Sequence, residues 1–138
     1  MLSKAHALFG VVFSLILYFI FNIGLTNSLI VFLSSILIDV DHYLHYLISK
    51  RDSNLKNAFY WNKKLPLRHK PIMHILHSVE FLAILAIFSF FFPILTFILL
   101  GFIFHSILDL IDMAAHKEIG GREFFLSRYI LSDKSKYL

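Results

Sequence analysis

Four apolar stretches, residues 7–25, 28–48, 72–92 and 94–115, constrain this chain more than any other feature of its sequence. Each is about 20 residues long, and at 1.5 Å rise per residue such a helix reaches about 30 Å, the depth of a bilayer's hydrocarbon core. They predict an all-α integral membrane protein, a single transmembrane domain over residues 1–138 folded as a four-helix bundle. Composition agrees: 58% of the 138 residues are apolar and 16% charged, too oily a balance for a disordered or an ordinary soluble chain. Gly24-Leu25-Thr26-Asn27 leaves room only for a tight turn, and Phe92-Pro93 marks a second on the same side. Residues 49–71 form one long loop and residues 116–138 a tail. The first stretch is too long and too aromatic for a cleaved signal, so it reads as a retained span.

Charge orients the bundle. All 13 Lys and Arg fall on the side of the termini and the long loop: Lys4, seven from Lys50 to Lys70, and five from Lys117 onward. By the positive-inside rule both termini and the loop are cytoplasmic, in a multi-pass protein of the cell's inner (plasma) membrane. The same bias accounts for the net charge of +4, so membrane lipid is the expected partner and nucleic acid is not. Lys63, Lys64, Arg68 and Lys70 are candidates to attract an anionic head group. Tyr60 and Trp61 in the loop, with Phe124, Phe125, Tyr129 and Ile130 in the tail, fit interfacial anchoring, and residues 123–131 suggest a short amphipathic helix.

Ionisable residues interrupt the apolar stretches in a pattern. Span two holds Asp39, Asp41, His42 and His45, span three His74, His77 and Glu80, span four His105, Asp109 and Asp112, and His6 opens span one. All lie within about 15 Å of the cytoplasmic ends. His105, Asp109 and Asp112 share one helical stripe, while His74, His77 and Glu80 cover about a third of the circumference of span three. On span two, Asp39 and His42 share one flank and Asp41 and His45 another, so that helix either inserts between two neighbours or unwinds near Asp41. Gly10, Gly101 and Ser78 read as points of close helix packing.

A carboxylate at a helix centre costs roughly 2.5 to 3.5 kcal/mol on the insertion scale, and no Lys or Arg lies within the spans to offset it. A divalent cation would, by taking carboxylate and neutral imidazole together. Without cysteine the ligands must be nitrogen and oxygen, which suits zinc first and manganese or iron as alternatives, with one or two ions. The candidate ligands are His6, Asp41, His42, His74, His77, His105 and Asp109. Asp39, Glu80 and Asp112 remain as candidate general bases or acids.

The order of these motifs resembles the YdjM-like family of small membrane proteins, described as metal-dependent hydrolases. His6-Ala7-Leu8-Phe9-Gly10, Asp39-Val40-Asp41-His42, His69-Lys70 with His74 five positions on, and His105-Ser106-Ile107-Leu108-Asp109 carry the resemblance over residues 6–112. The family's H-R-G-x-T-H-S element reads here His69-Lys70-Pro71-Ile72-Met73-His74-Ile75, with His77-Ser78 as a shifted counterpart. The family is in turn distantly similar to the zinc-dependent phospholipase C and P1 nuclease group. The resemblance implies hydrolysis of an interfacial or lipid-linked ester, a phosphoester above all, with Asp41, His42, His74, His105 and Asp109 as metal positions. The alternative from the residues alone is a component for proton or divalent-ion transport that uses the same cluster.

Overall fold

The computed structural model describes residues 3–63 and 71–133. The apolar runs become helices α1 (Ser3–Phe21), α2 (Leu25–Leu37), α3 (Val40–Lys50), α5 (Val79–Ser89) and α6 (Pro93–Ala115), with α4 (Leu55–Lys63) in the long loop and α7 (Leu126–Leu131) in the tail. The first hairpin turns at Asn22 and Gly24, both left-handed with φ of 51° and 81°, so α2 already begins at Leu25 where the turn was expected. Pro93 opens α6 at a position where its missing N–H is no loss. The joined segment Leu25–Lys50 and Pro93–Ala115 are long and apolar enough to cross a membrane.

Helix α2 is the centre of the packing, set against α1 on one side and α6 on the other. Gly101 makes the α2–α6 approach possible: a Cβ there would stand 2.0 Å from Ser34 Oγ and 2.5 Å from the Val31 carbonyl. Gly10 does the same for α1, where a Cβ would meet Ser35 Oγ at 2.6 Å. The Ser28 hydroxyl donates across to the Ser14 carbonyl at 2.7 Å. Small residues and hydroxyls at the seams let backbones approach closely, the packing mode that works where hydrophobic burial between helices brings nothing.

Burial is inverted relative to a water-soluble bundle. Among the described residues the buried apolar side chains are Val31, Ile38, Tyr46, Ala58 and Phe102, whereas His6, Asp41, His74, His77, His105, Asp109 and several serines are all buried. Large apolar side chains such as Phe19, Ile20, Ile48, Phe90 and Phe91 point outward. A surface of that kind calls for apolar surroundings.

Two expectations are corrected here. The third apolar stretch is not one helix from residue 72: α5 starts at Val79 and has 11 residues, about 16 Å, half a bilayer core. Ahead of it stand strand β1 (Ile72–Met73) and a 3₁₀ turn over Ile75–His77. Tertiary bonds outcompete the helix there. β1 pairs in parallel with β2 (Arg122–Glu123), the Leu76 N–H donates to Asp41 Oδ2 at 2.6 Å, and Val79 N–H donates to the Phe124 carbonyl at 3.0 Å. Ser78, fully buried, is also the N-cap of α5, its Oγ accepting from Phe81 N–H at 3.2 Å. The second correction concerns the tail, whose helix is confined to Leu126–Leu131 because Arg122 and Glu123 are held in β2.

In the long loop, Asn54 caps α4 by accepting from the N–H groups of Lys56 and Asn57 at 2.9 and 3.2 Å. Asp52 ties this helix to α3: the Tyr46 hydroxyl, the Asn57 amide and the Asn54 N–H all donate to its carboxylate. Trp61 leans on Tyr46 with ring centroids 5.4 Å apart, while Tyr60 stays exposed. Lys64, Arg68 and Lys70, together with the Lys63 side chain and His69, lie outside the described residues.

Two outcomes follow. Gly101→Ala should lower the stability of the detergent-purified protein by about 1 to 3 kcal/mol in thermal unfolding, while Gly120→Ala, which meets nothing within 4 Å, should leave it unchanged. Tyr46 first, then Asn57 and Asn54, hold the Asp52 carboxyl below the usual carboxylate range. Its stabilising contribution is thus present above the unfolded value of about 3.9 and is lost as pH falls through the lowered one. Trp61 emission should report α4 loosening in acid, and Asp52→Asn should abolish that acid step.

Candidate metal centre

The centre begins at a break in the backbone ladder. At the end of α2, Ile38 N–H donates to Ser34 and Asp39 N–H donates to Ile36, so the ladder skips the carbonyl of Ser35. His105, on α6 and only 1% exposed, fills that gap: its Nδ1–H donates to Ser35 O at 2.6 Å. In the neutral ring Nε2 then carries the lone pair. The ladder shortens to the residue three back at Asp39, Asp41 and His42, so the irregularity expected near Asp41 runs from Asp39 through His42.

Around His105 Nε2 the donor atoms converge. Asp39 Oδ1 lies 3.3 Å away and Asp109 Oδ2 3.8 Å, while His6 Nε2 lies 2.9 Å from Asp109 Oδ1 and His77 Nε2 3.7 Å from Asp109 Oδ2. His42 Nε2 lies 3.6 Å from Asp39 Oδ1. Three trios have all their donor atoms within 4.8 Å of one another: His6, His105 and Asp109; Asp39, His77 and His105; His42, His77 and Asp109. Two ligands on one zinc, each about 2.0 to 2.1 Å from it, stand about 3.3 Å apart in tetrahedral geometry, a spacing within the range found here.

His6 Nε2, His74 Nδ1, His77 Nδ1 and Nε2, and His105 Nε2 are buried without a hydrogen-bond partner. The short His6–Asp109 approach is close but not aligned as donor to acceptor. Unmatched buried nitrogens cost about 1 to 3 kcal/mol each, and a divalent cation would satisfy those that face the trios. Imidazole and carboxylate donors in this arrangement can hold a metal ion.

The sequence assignments are redistributed. His6, His42, His77, His105 and Asp109 come together as expected. Asp39, expected as a base, stands among the donors at the open edge, its side chain 37% exposed. Asp41, expected as a ligand, works from behind: Oδ2 takes the Leu76 N–H and lies 3.5 Å from His77 Nδ1, fixing the 3₁₀ turn and leaving Nε2 to face the centre. His74 belongs to none of the trios, and its ring lies 4.0 Å from that of His42 and 5.6 Å from that of His45. Two expected catalytic residues lie outside. Glu80 accepts from Leu126 N–H, Ser127 N–H and the Ser127 hydroxyl at 2.9, 2.9 and 2.7 Å, so its carboxylate is spent on holding α7. Asp112 lies 3.5 Å from His116, a turn past Asp109 at the open end of α6.

Arg122 is the residue that sequence reasoning missed. It belongs to the tail, yet the β1–β2 pairing carries it inward, its side chain 10% exposed, to donate from Nη2 to Asp109 Oδ2 at 2.7 Å. No lysine or arginine within a span signals it; only the apolar letters flanking a lone Arg-Glu pair hint that the tail folds back. Compared with family models, curated proteins and solved structures, the chain matches none.

Glu80→Ala should release α7, giving faster proteolysis around residues 126–131, while metal content stays at the level of the unaltered protein. Loss of metal in that variant would return Glu80 to the centre.

Proposed function

We propose that this protein is a membrane-embedded, divalent-metal-dependent hydrolase that acts on an interfacial or lipid-linked ester, a phosphoester first. The reading rests on the buried imidazoles of His6, His77 and His105, which carry nitrogens without hydrogen-bond partners and group with the carboxylates of Asp39 and Asp109. The motif order that resembles the YdjM-like family supports the same reading. In this proposal α1, α2 with α3, and α6 each cross the bilayer, and α5 completes a fourth pass together with the non-helical residues 72–78. That irregular stretch is compatible with membrane depth because His74, His77 and Ser78 are buried in protein and its N–H groups find Asp41, β2 and the turn's own carbonyls. The bias of Lys and Arg puts the termini and the centre on the cytoplasmic side.

A bound divalent ion, zinc by preference, would supply an activated water and polarise a phosphoryl oxygen. The chain's own residues do the rest. His105, locked by Ser35, presents Nε2 in fixed orientation, and His77 stands with Nδ1 3.5 Å from Asp41 Oδ2. Asp39 stands at the exposed edge, within reach of solvent, and is the group best placed to take a proton from water entering there. The outward apolar side chains keep the ester's lipid portion in the bilayer.

Elemental analysis of protein purified without chelator should find stoichiometric divalent metal, which chelation removes together with phosphodiester hydrolysis in mixed micelles. The double variant His105→Ala, Asp109→Ala should lose both, with helical content by circular dichroism retained. Full metal content in that variant overturns the proposal. Ion flux in proteoliposomes without hydrolysis would favour transport instead.

A further inference from the structure

The terminal nitrogen of Arg122 sits where an ion would. Nη2 lies 2.7 Å from Asp109 Oδ2 and 3.5 Å from His42 Nε2, and these are two of the three donors in the trio of His42, His77 and Asp109. Of the other two trios, Asp39 with His77 and His105 has no arginine contact among the described bonds, and in that of His6, His105 and Asp109 the guanidinium holds Asp109 Oδ2 while Oδ1 lies 2.9 Å from His6 Nε2. We infer that Arg122 is the second cation of the centre: it fills the His42 trio in place of a metal, leaves one divalent ion to the His105 trios, and binds an anionic oxygen of the substrate. This inference rests on the metal-centre reading above and decides between one ion and two.

Charge favours that division. Asp39, Asp41 and Asp109 bring three carboxylates and Arg122 one guanidinium, so with neutral imidazoles two negative charges remain, the charge of one divalent ion. Glu123, the next buried carboxylate, lies 3.8 Å from Arg128 and accepts from the Phe125 N–H, apart from the centre. A second ion would leave the buried cluster with two surplus positive charges. Geometry favours it too. Two of the five guanidinium N–H bonds at most are used by Asp109 and His42, and the planar fork has more to offer to a phosphoryl group. The short β1–β2 ladder, anchored beside the His77 turn, supplies the fixed point from which the side chain reaches in. An arginine in this position gives the substrate a double clamp, one metal and one guanidinium on the same anion, which selects esters that carry a negatively charged oxygen over neutral carboxylic esters.

The test uses the full chain in detergent, with metal content and inorganic phosphate binding as readouts independent of turnover. Unaltered protein should hold one zinc per chain, and phosphate should bind to the metal-loaded form. Arg122→Gln should keep or exceed one zinc per chain and weaken phosphate by roughly ten- to a hundredfold, the worth of a charge-assisted bond. Arg122→Lys, which keeps the charge without the fork, should hold one zinc and fall between. Two zinc ions in the unaltered protein, or phosphate affinity indifferent to both substitutions, overturns the inference while leaving the metal centre standing. Loss of zinc in Arg122→Gln but not in Arg122→Lys also overturns it, since the guanidinium would then be supporting the ligands rather than replacing an ion. Unaltered protein without any divalent metal overturns the metal-centre reading and this inference with it.

Discussion

The hydrogen bond from His105 Nδ1–H to the Ser35 carbonyl ties the packing of α6 on α2 to the geometry of the centre. The Asp39 N–H turns to the Ile36 carbonyl and leaves that of Ser35 over for the imidazole. A free backbone acceptor deep in an apolar bundle would be costly, and an imidazole on the facing helix removes the cost. The same bond chooses the tautomer, aims Nε2, and joins α2 to α6 at the depth where Gly101 lets them touch. Just beyond it, Asp39 joins the donors and Asp41 reaches the 3₁₀ turn. One imidazole thereby serves both the packing and the chemistry.

The polar interior needs a compensating exterior. A soluble bundle of this size would bury its leucines and phenylalanines, whereas here Leu8, Phe19, Ile87 and Ile111 are largely exposed and hydroxyls and imidazoles are inside. With little apolar burial at the seams, cohesion comes from close backbone approach and from hydrogen bonds such as Ser28 to Ser14. Polar groups placed outward in hydrocarbon would be far costlier than the same groups turned toward one another, which is why they gather.

Much of the arrangement was legible in the letters. The long apolar runs read correctly as α1, α2 with α3, and α6, and the i, i+4 spacing of His105 and Asp109 correctly put both on one buried face. What the letters hid was non-local. The stretch from Ile72 to Ser78 carries an apolar pattern indistinguishable from a helix, and only its bonds to Asp41, Arg122 and Phe124 open it out. Residue type did not separate Asp39 from Asp41 either; two residues apart, they face opposite flanks, one toward the donors and the other toward the Leu76 N–H. Glu80 looked like a buried base because its partner, the N-terminus of α7, lies 46 residues downstream.

Arg122 shows the limit of reasoning by spans. Counted by helices, the carboxylates had no cation; counted in space, a guanidinium enters from a two-residue strand that no propensity scale would propose. Its presence does not remove the case for metal, because the guanidinium touches Asp109 and His42 but neither His105 nor His6 nor His77 among the described bonds. Those rings keep their unmatched nitrogens, at about 1 to 3 kcal/mol apiece. An arginine can offset charge, but having only donors it offers a ring lone pair at most a hydrogen bond within its reach. A divalent ion accepts several lone pairs at once, so these imidazoles and carboxylates could be satisfied together by one.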